Sequence, residues 1–270
     1  MLTCSGEIGG VVKITIDIPP SNLVGAEFIG GLIQVLPSLE QDPSVKVVVF
    51  QSNDPDFFLM HGDAHALLDA TPLAYEPVVE PNVAASTFQR VTKAPFVTIG
   101  VIDGAARGGG CEFLSALDLR IGSPRVVIGQ PEAALGILAG AGGTVRWPRI
   151  VGRASALELI LSARDIDATE ALSLGWLQRI VSTDELEAEV DALARQIARM
   201  SREIIAAVKR IVDVSLADVE HALVAESDAL ARLMASGSHI EPLHRFLAAG
   251  GQQREVERAG MKSVIDAVLG

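Results

Sequence analysis

Two glutamates stand in surroundings that do not suit a solvated acid. Glu112 lies in the apolar run Gly110-Cys111-Glu112-Phe113-Leu114, and Glu132 closes Gly129-Gln130-Pro131-Glu132. A carboxylate buried in such a run is costly unless it is paired or used. Ahead of Glu112, the loop Gly104–Gly110 carries Gly108-Gly109-Gly110, between the strand-like FVTIGVI and a helix start. Glycines there permit positive φ and close backbone approach. Their N–H groups, at a helix N-terminus, favour negative charge. Two carboxyls converging beside such donors suit proton transfer next to a carbonyl whose oxygen becomes anionic. Plainer uses remain open: a tight packing turn for the glycines, a helix-dipole acid for Glu112. No GKS or GKT follows the glycines, and no GxGxxG fingerprint stands in its proper place. Spacing alone does not decide whether the two acids meet.

The elements that must position them alternate between strand and helix. Val12, Ile14, Ile16 and Ile18 alternate with polar residues, as in a strand, until Pro19-Pro20 stops it. Residues 26–39 are apolar at helical spacing. Val45–Phe50 and Phe96–Ile102 are nearly wholly apolar, as in strands buried on both faces. A helix follows from Gly110, and another strand over Leu117–Ile121. This succession predicts an α/β fold with a parallel sheet. Beyond it the periodicity is helical: Ala154–Ala163, Ala168–Leu174, one long helix over Asp184–Val212, then His221–Ala235 and Gly260–Leu269. The chain therefore divides near residue 200, into a mixed core (1–200) and a helical C-terminal region (201–270). Ala70–Ser86, with three prolines and little periodicity, reads as a mobile loop.

The motifs together resemble the enoyl-CoA hydratase/isomerase (crotonase) superfamily. The resemblance rests on GAARGGGCEF, IGQPEAALGILAGAGGTVRWPRIVG and SARDIDATEALSLGWL, and runs from the first strand to about residue 185. It implies a crotonase-like spiral of ββα units with a helical C-terminal trimerisation region. It implies an acyl-CoA thioester as substrate, CoA being part of that substrate, with no other cofactor and no metal. The thioester oxygen would sit between the N–H groups of Gly62 and Gly109. Glu112 and Glu132 match the two glutamates of true hydratases. Pro19-Pro20-Ser21-Asn22-Leu23 matches the loop near the CoA ribose and adenine, placing Asn22 and Leu23 at the substrate. Met60-His61-Gly62-Asp63 matches the first anion-hole segment, with His65 shortly after. Pro131 precedes the second glutamate, and Gly140 matches the glycine near the reacting carbons. Hydration of a trans-2-enoyl-CoA is the expected reaction. Isomerisation, another crotonase reaction, or acyl-CoA binding without catalysis are the alternatives.

One departure from the resemblance stands out: His61 replaces the glycine of the family's usual A-G-A-D or A-G-G-D segment. If that position needs positive φ, His61 is strained; otherwise it faces the ligand or serves structure. Arg107 reads as a salt-bridge partner of Asp103 or an interface residue, with a CoA phosphate as the other use. Cys111 reads as a small buried hydrophobe, and His221, His239 and His244 as surface or interface.

Composition bounds the rest. The chain has 270 residues, 49% hydrophobic and 21% charged, enough for a sizeable core. Lys plus Arg is 22 and Asp plus Glu 34, a net charge of −12, which disfavours nucleic-acid binding. Two cysteines and no CxxC pair argue against a disulfide scaffold. No apolar run reaches the length of a membrane span and no signal peptide is evident, so a cytoplasmic protein without membrane contact is expected. Apolar stripes in the C-terminal helices, such as Leu223, Leu230 and Leu233, predict a homotrimer or homohexamer.

Overall fold

Alternation in the second strand sets the frame: Val12, Ile14 and Ile16 are buried while Val11, Lys13 and Thr15 are half-exposed. The computed structural model describes the chain except residues 7, 70–74, 76, 216–218 and 270. Strands β1 (Leu2–Cys4) and β2 (Val11–Ile16) lead into helix α1 (Ala26–Gln41). Three turns of one pattern follow, each a strand, a shorter strand, then helix. They are β3 (Val47–Ser52), β4 (Phe57–Leu59), α2 (Ala64–Asp69) and α3 (Val83–Thr92); β5 (Val97–Ile102), β6 (Ala105–Arg107) and α4 (Gly109–Ala116); and β7 (Leu119–Gly122), β8 (Val127–Gly129), α5 (Gly143–Val151) and α6 (Arg153–Ser162). The chain continues through β9 (Ile166–Asp167), α7 (Ala168–Ser173), β10 (Arg179–Ile180) and α8 (Thr183–Ala198). It ends in α9 (Arg202–Ser215), α10 (Val219–Ser236), α11 (Ile240–Ala248), α12 (Arg254–Ala259) and α13 (Lys262–Leu269).

The long strands form one sheet in the order β1-β2-β3-β5-β7-β10 and the short ones a second, β4-β6-β8-β9. Pairing is parallel throughout except β1–β2 and β8–β9. This is the expected spiral of ββα units. The buried runs explain it. Val47 and Val49 face Leu186, Val190 and Ala194 of α8, while Val48 and Phe50 face the core beneath α1, α3 and α4. Both faces are covered, so neither needs polar residues.

Three expectations need correction. The helix expected over Asp184–Val212 is two helices, because the chain turns where Arg202 donates to the carbonyls of Leu39 and Glu40 at the end of α1, at 3.2 and 2.6 Å. A guanidinium at a helix C-terminus suits the dipole. The loop expected through Ser86 ends earlier, since Asn82 caps α3 by accepting from the Ala85 N–H. Its residues 70–74 and 76 lie outside the described residues. The apolar stripe on α10 is largely taken up within the chain: Leu223 packs with Ala85 and Val145 and Leu230 partly against the Leu135–Phe246 cluster, while Leu233 stays half-exposed. The exposed apolar face lies on α9 instead, where Ile204, Val208 and Ile211 are 54%, 59% and 63% exposed. No helix among the described residues is long and apolar enough to cross a membrane.

Candidate active site

Every residue of α4 is buried, so its backbone needs internal partners. At its C-terminal end, buried Arg120 donates to the carbonyls of Leu114 and Leu117, at 3.1 and 2.8 Å. Phe113 packs edge-on to Phe28 and Phe50, with ring centroids 5.0 and 5.1 Å away. Such pairs contribute roughly 0.5–1.5 kcal/mol each beyond their burial, and they fix the helix that carries Glu112. At the start of α4, Gly108 has φ +51°, and a Cβ on Gly110 would lie 1.9 Å from the Leu59 carbonyl oxygen. The run of glycines therefore serves both a left-handed turn and a close backbone approach.

Glu112 is 4% exposed and Glu132 8%. Glu112 Oε1 accepts from the N–H groups of Ala141 and Gly143, at 2.7 and 2.8 Å, at the entry to α5. Burial still pushes its carboxyl up to about 7, against those two donors and Arg146. Burial, then the charge of Glu112, push Glu132 well above the usual carboxylate range. Among the described residues Glu132 Oε2 has no hydrogen-bond partner, and neither has the side-chain amide of neighbouring Gln130. Two acids that sense each other this strongly titrate as a pair.

A third buried acid joins them. Glu226 of α10 accepts from the Val145 N–H at 3.1 Å, on the same α5 entry that holds Glu112. Burial, then Glu112, push Glu226 up to about 8. Arg146 lies among these acids, donating to Ala141 O and Gln89 Oε1. Nothing in the local sequence marks Glu226, since an acid in an amphipathic helix ordinarily faces water.

The Met60–Asp63 segment lies beside the glycine loop. Gly110 N–H donates to Met60 O, and a Cβ on Gly108 would lie 2.8 Å from the His61 Cβ. Val24 bridges the two: it pairs with Gly62, and its Cβ would lie 3.1 Å from one built on Gly109. Among the described residues neither the Gly62 nor the Gly109 N–H donates to an acceptor. Gly62, Pro131 and Glu132 line one narrow pocket with His61, and α11 closes it with Leu243 and Phe246.

The remaining expected residues divide. Asn22 is placed by its resemblance at the substrate, but its side chain is taken up inside the fold. Its Oδ1 accepts from Ile18 N–H at 2.6 Å, and its Nδ2 donates to Ser52 Oγ and Phe58 O. Leu23 and Met60 pack with Phe57 and Ala105. Asp63 accepts from the His65 N–H at 2.9 Å and starts α2, leaving the His65 side chain exposed. Gly140 lies under Leu230, and its carbonyl accepts from Asn82. His61 keeps a negative φ, so the strain considered for it is absent. Its ring is buried, with Nε2 2.9 Å from Glu257 Oε1. Arg107 does not pair with Asp103, which holds Arg125. It donates to both oxygens of Asp165, at 2.9 and 2.7 Å, and reaches Glu257. Cys111 is buried as expected, whereas His239 is buried too, against the surface reading. His221 and His244 are exposed.

Known proteins carry the same pattern. A model of the enoyl-CoA hydratase/isomerase family matches residues 6–253. The protein named probable enoyl-CoA hydratase 2, mitochondrial, of Arabidopsis thaliana is 32% identical over 244 residues, 90% of this chain and 80% of that protein. Among solved structures, a candidate enoyl-CoA hydratase from Streptomyces avermitilis is 35% identical. It superposes with a TM-score of 0.86 over 99% of this chain and 97% of that one. An enoyl-CoA hydratase from Bacillus halodurans, 22% identical, shares the fold alone, with a TM-score of 0.81 over 90% and 98% of the two chains.

Proposed function

The chain belongs to the enoyl-CoA hydratase/isomerase family, and on that premise we propose that it adds water across the 2,3 double bond of an enoyl-CoA thioester. The observation that carries this reading is the unequal pair of buried acids. Glu112 holds two backbone donors, which favour its ionised form, while Glu132 Oε2 has none among the described residues. Of the two, Glu132 therefore holds its proton more tightly, and the reactive form has Glu112 ionised and Glu132 protonated. Glu112 takes a proton from a water molecule as its oxygen bonds to C3. The C2=C3 electrons move toward the thioester, whose oxygen becomes an enolate held by the Gly62 and Gly109 N–H groups. Glu132 then gives its proton to C2. The pair resets when the proton gained by Glu112 passes to Glu132. Fixed donors of this kind each contribute roughly 2.7–4 kcal/mol to such a step.

An isomerase would need a proton carrier at Glu132 alone, and the doubly hydrogen-bonded Glu112 favours hydration. The reading requires no cofactor beyond the CoA of the substrate. The pocket closed by Leu243 and Phe246 supports an acyl group lying under α11. The exposed face of α9 supports a homotrimer or homohexamer, and the free cysteines, Cys4 and Cys111, suit a reducing compartment such as the cytoplasm. Turnover of a panel of short, medium and branched enoyl-CoA thioesters, with mass spectrometry of the products, tests the reaction. Hydrated products support it, and shifted double bonds or no product overturn it.

A further inference from the structure

His61 is buried, and both of its ring nitrogens are engaged. Nδ1 lies 3.0 Å from Gly62 O and Nε2 2.9 Å from Glu257 Oε1, while the ring packs edge-on to Phe246 at 5.2 Å. Glu257, on α12, is 1% exposed. Its Oε1 also accepts from the Gln252 N–H at 2.9 Å, and its Oε2 lies 3.4 Å from Arg107 Nη1. The same Nη1 donates to the Glu257 backbone carbonyl at 3.1 Å. Burial pushes the Glu257 carboxyl up, but His61, the Gln252 N–H and Arg107 together hold it below its ordinary value.

One buried carboxylate thus reaches the residue just before Gly62 and the arginine just ahead of the Gly108-Gly109 turn. Arg107 is itself held on its other side by Asp165. Gln252 adds a second tie, donating from Nε2 to Gly62 O at 3.3 Å. We propose that Glu257 is a positioning residue that ties the Gly62 segment to the Gly109 segment and so sets the aim of both N–H donors. The proposal rests on the hydratase reading. Its physical basis is that an oxyanion donor works only when aimed in advance, and small misplacements lower rates steeply.

The test uses butyryl-CoA carrying ¹³C at the thioester carbon, a saturated ligand that cannot be hydrated, and infrared difference spectroscopy of its bound carbonyl. In the wild type the carbonyl band is expected to shift to lower frequency on binding, because two donors polarise it. Glu257→Gln keeps the shape and loses the charge. Its band is expected to move back toward the value in water. In turnover, kcat should fall about 10–10²-fold with KM changed far less. His61→Asn cuts one arm and should act in the same direction. The double variant should lose less than the sum, since both changes break one connection. An unchanged band and kcat in Glu257→Gln, with only a lower melting temperature, would overturn the proposal. Should Glu257→Gln not fold, an unchanged band in His61→Asn would overturn it alone. A wild type that binds no thioester, or leaves its carbonyl unshifted, would sink the hydratase reading itself and the proposal with it.

Discussion

The Glu132 carboxyl rests directly against Gly108: a Cβ there would lie 2.5 Å from Glu132 Oε1. The glycine that caps α4 therefore also makes room for the second acid. With φ at +51°, Gly108→Ala carries backbone strain of roughly 1–3 kcal/mol as well as the clash. The variant should be less stable in urea by at least about that amount, and its kcat should fall beyond what the folded fraction explains. A fully active, equally stable Gly108→Ala would mean that Glu132 does not depend on this contact.

Replacing either acid separates hydration from isomerisation. Glu112→Gln and Glu132→Gln should each lower kcat by roughly 10²–10⁴-fold, the usual scale for a lost general acid or base. Thioester affinity should change little, because both N–H donors remain. An isomerase would give another pattern, with Glu112→Gln largely active and Glu132→Gln inactive.

What the residues disclosed in advance follows their surroundings. Glu112 and Glu132 were legible because an acid inside GGGCEF or IGQPEA breaks an apolar pattern. Glu226 and Glu257 break nothing: HALVAESDAL and REVERAG are ordinary amphipathic and charged stretches, in which an acid reads as solvated. Their burial follows from how α10 and α12 fold back on the core, which no local pattern encodes. The long strands were legible for the same reason as the first acids. The short strands β4, β6 and β8 escaped because three residues carry no period. Asn22 was legible as a motif, but its left-handed φ of +52° and its inward hydrogen bonds were not.

The buried acids also make stability depend on pH. In the folded chain burial raises Glu226 to about 8, whereas in an unfolded chain a glutamate titrates near about 4.3. Below that lower value both states are protonated and the group is neutral to stability. Between it and about 8 the folded state keeps a proton that the unfolded state releases, so stability falls as pH rises. Glu226→Gln removes this contribution. Its melting temperature should exceed that of the wild type by more at pH 8 than at pH 5. Equal differences at the two values would contradict the buried, proton-holding state of Glu226.

Assembly should depend on α9 rather than on the stripe along α10. Sedimentation is expected to give a trimer or hexamer at micromolar concentration. A double change, Val208→Glu with Ile211→Glu, should yield smaller species while each chain stays folded, because both side chains already face outward. A wild type that sediments as a monomer would remove this role from α9.

The most direct test of the account follows the oxygen of water. Purified protein is incubated with a trans-2-enoyl-CoA in H₂¹⁸O, and the acyl-CoA products are weighed by mass spectrometry. The account predicts a 3-hydroxyacyl-CoA that has gained one ¹⁸O at C3, formed by the wild type and sharply reduced in Glu112→Gln. A product of unchanged mass with its double bond moved, or no turnover of any enoyl-CoA by a folded wild type, would contradict it.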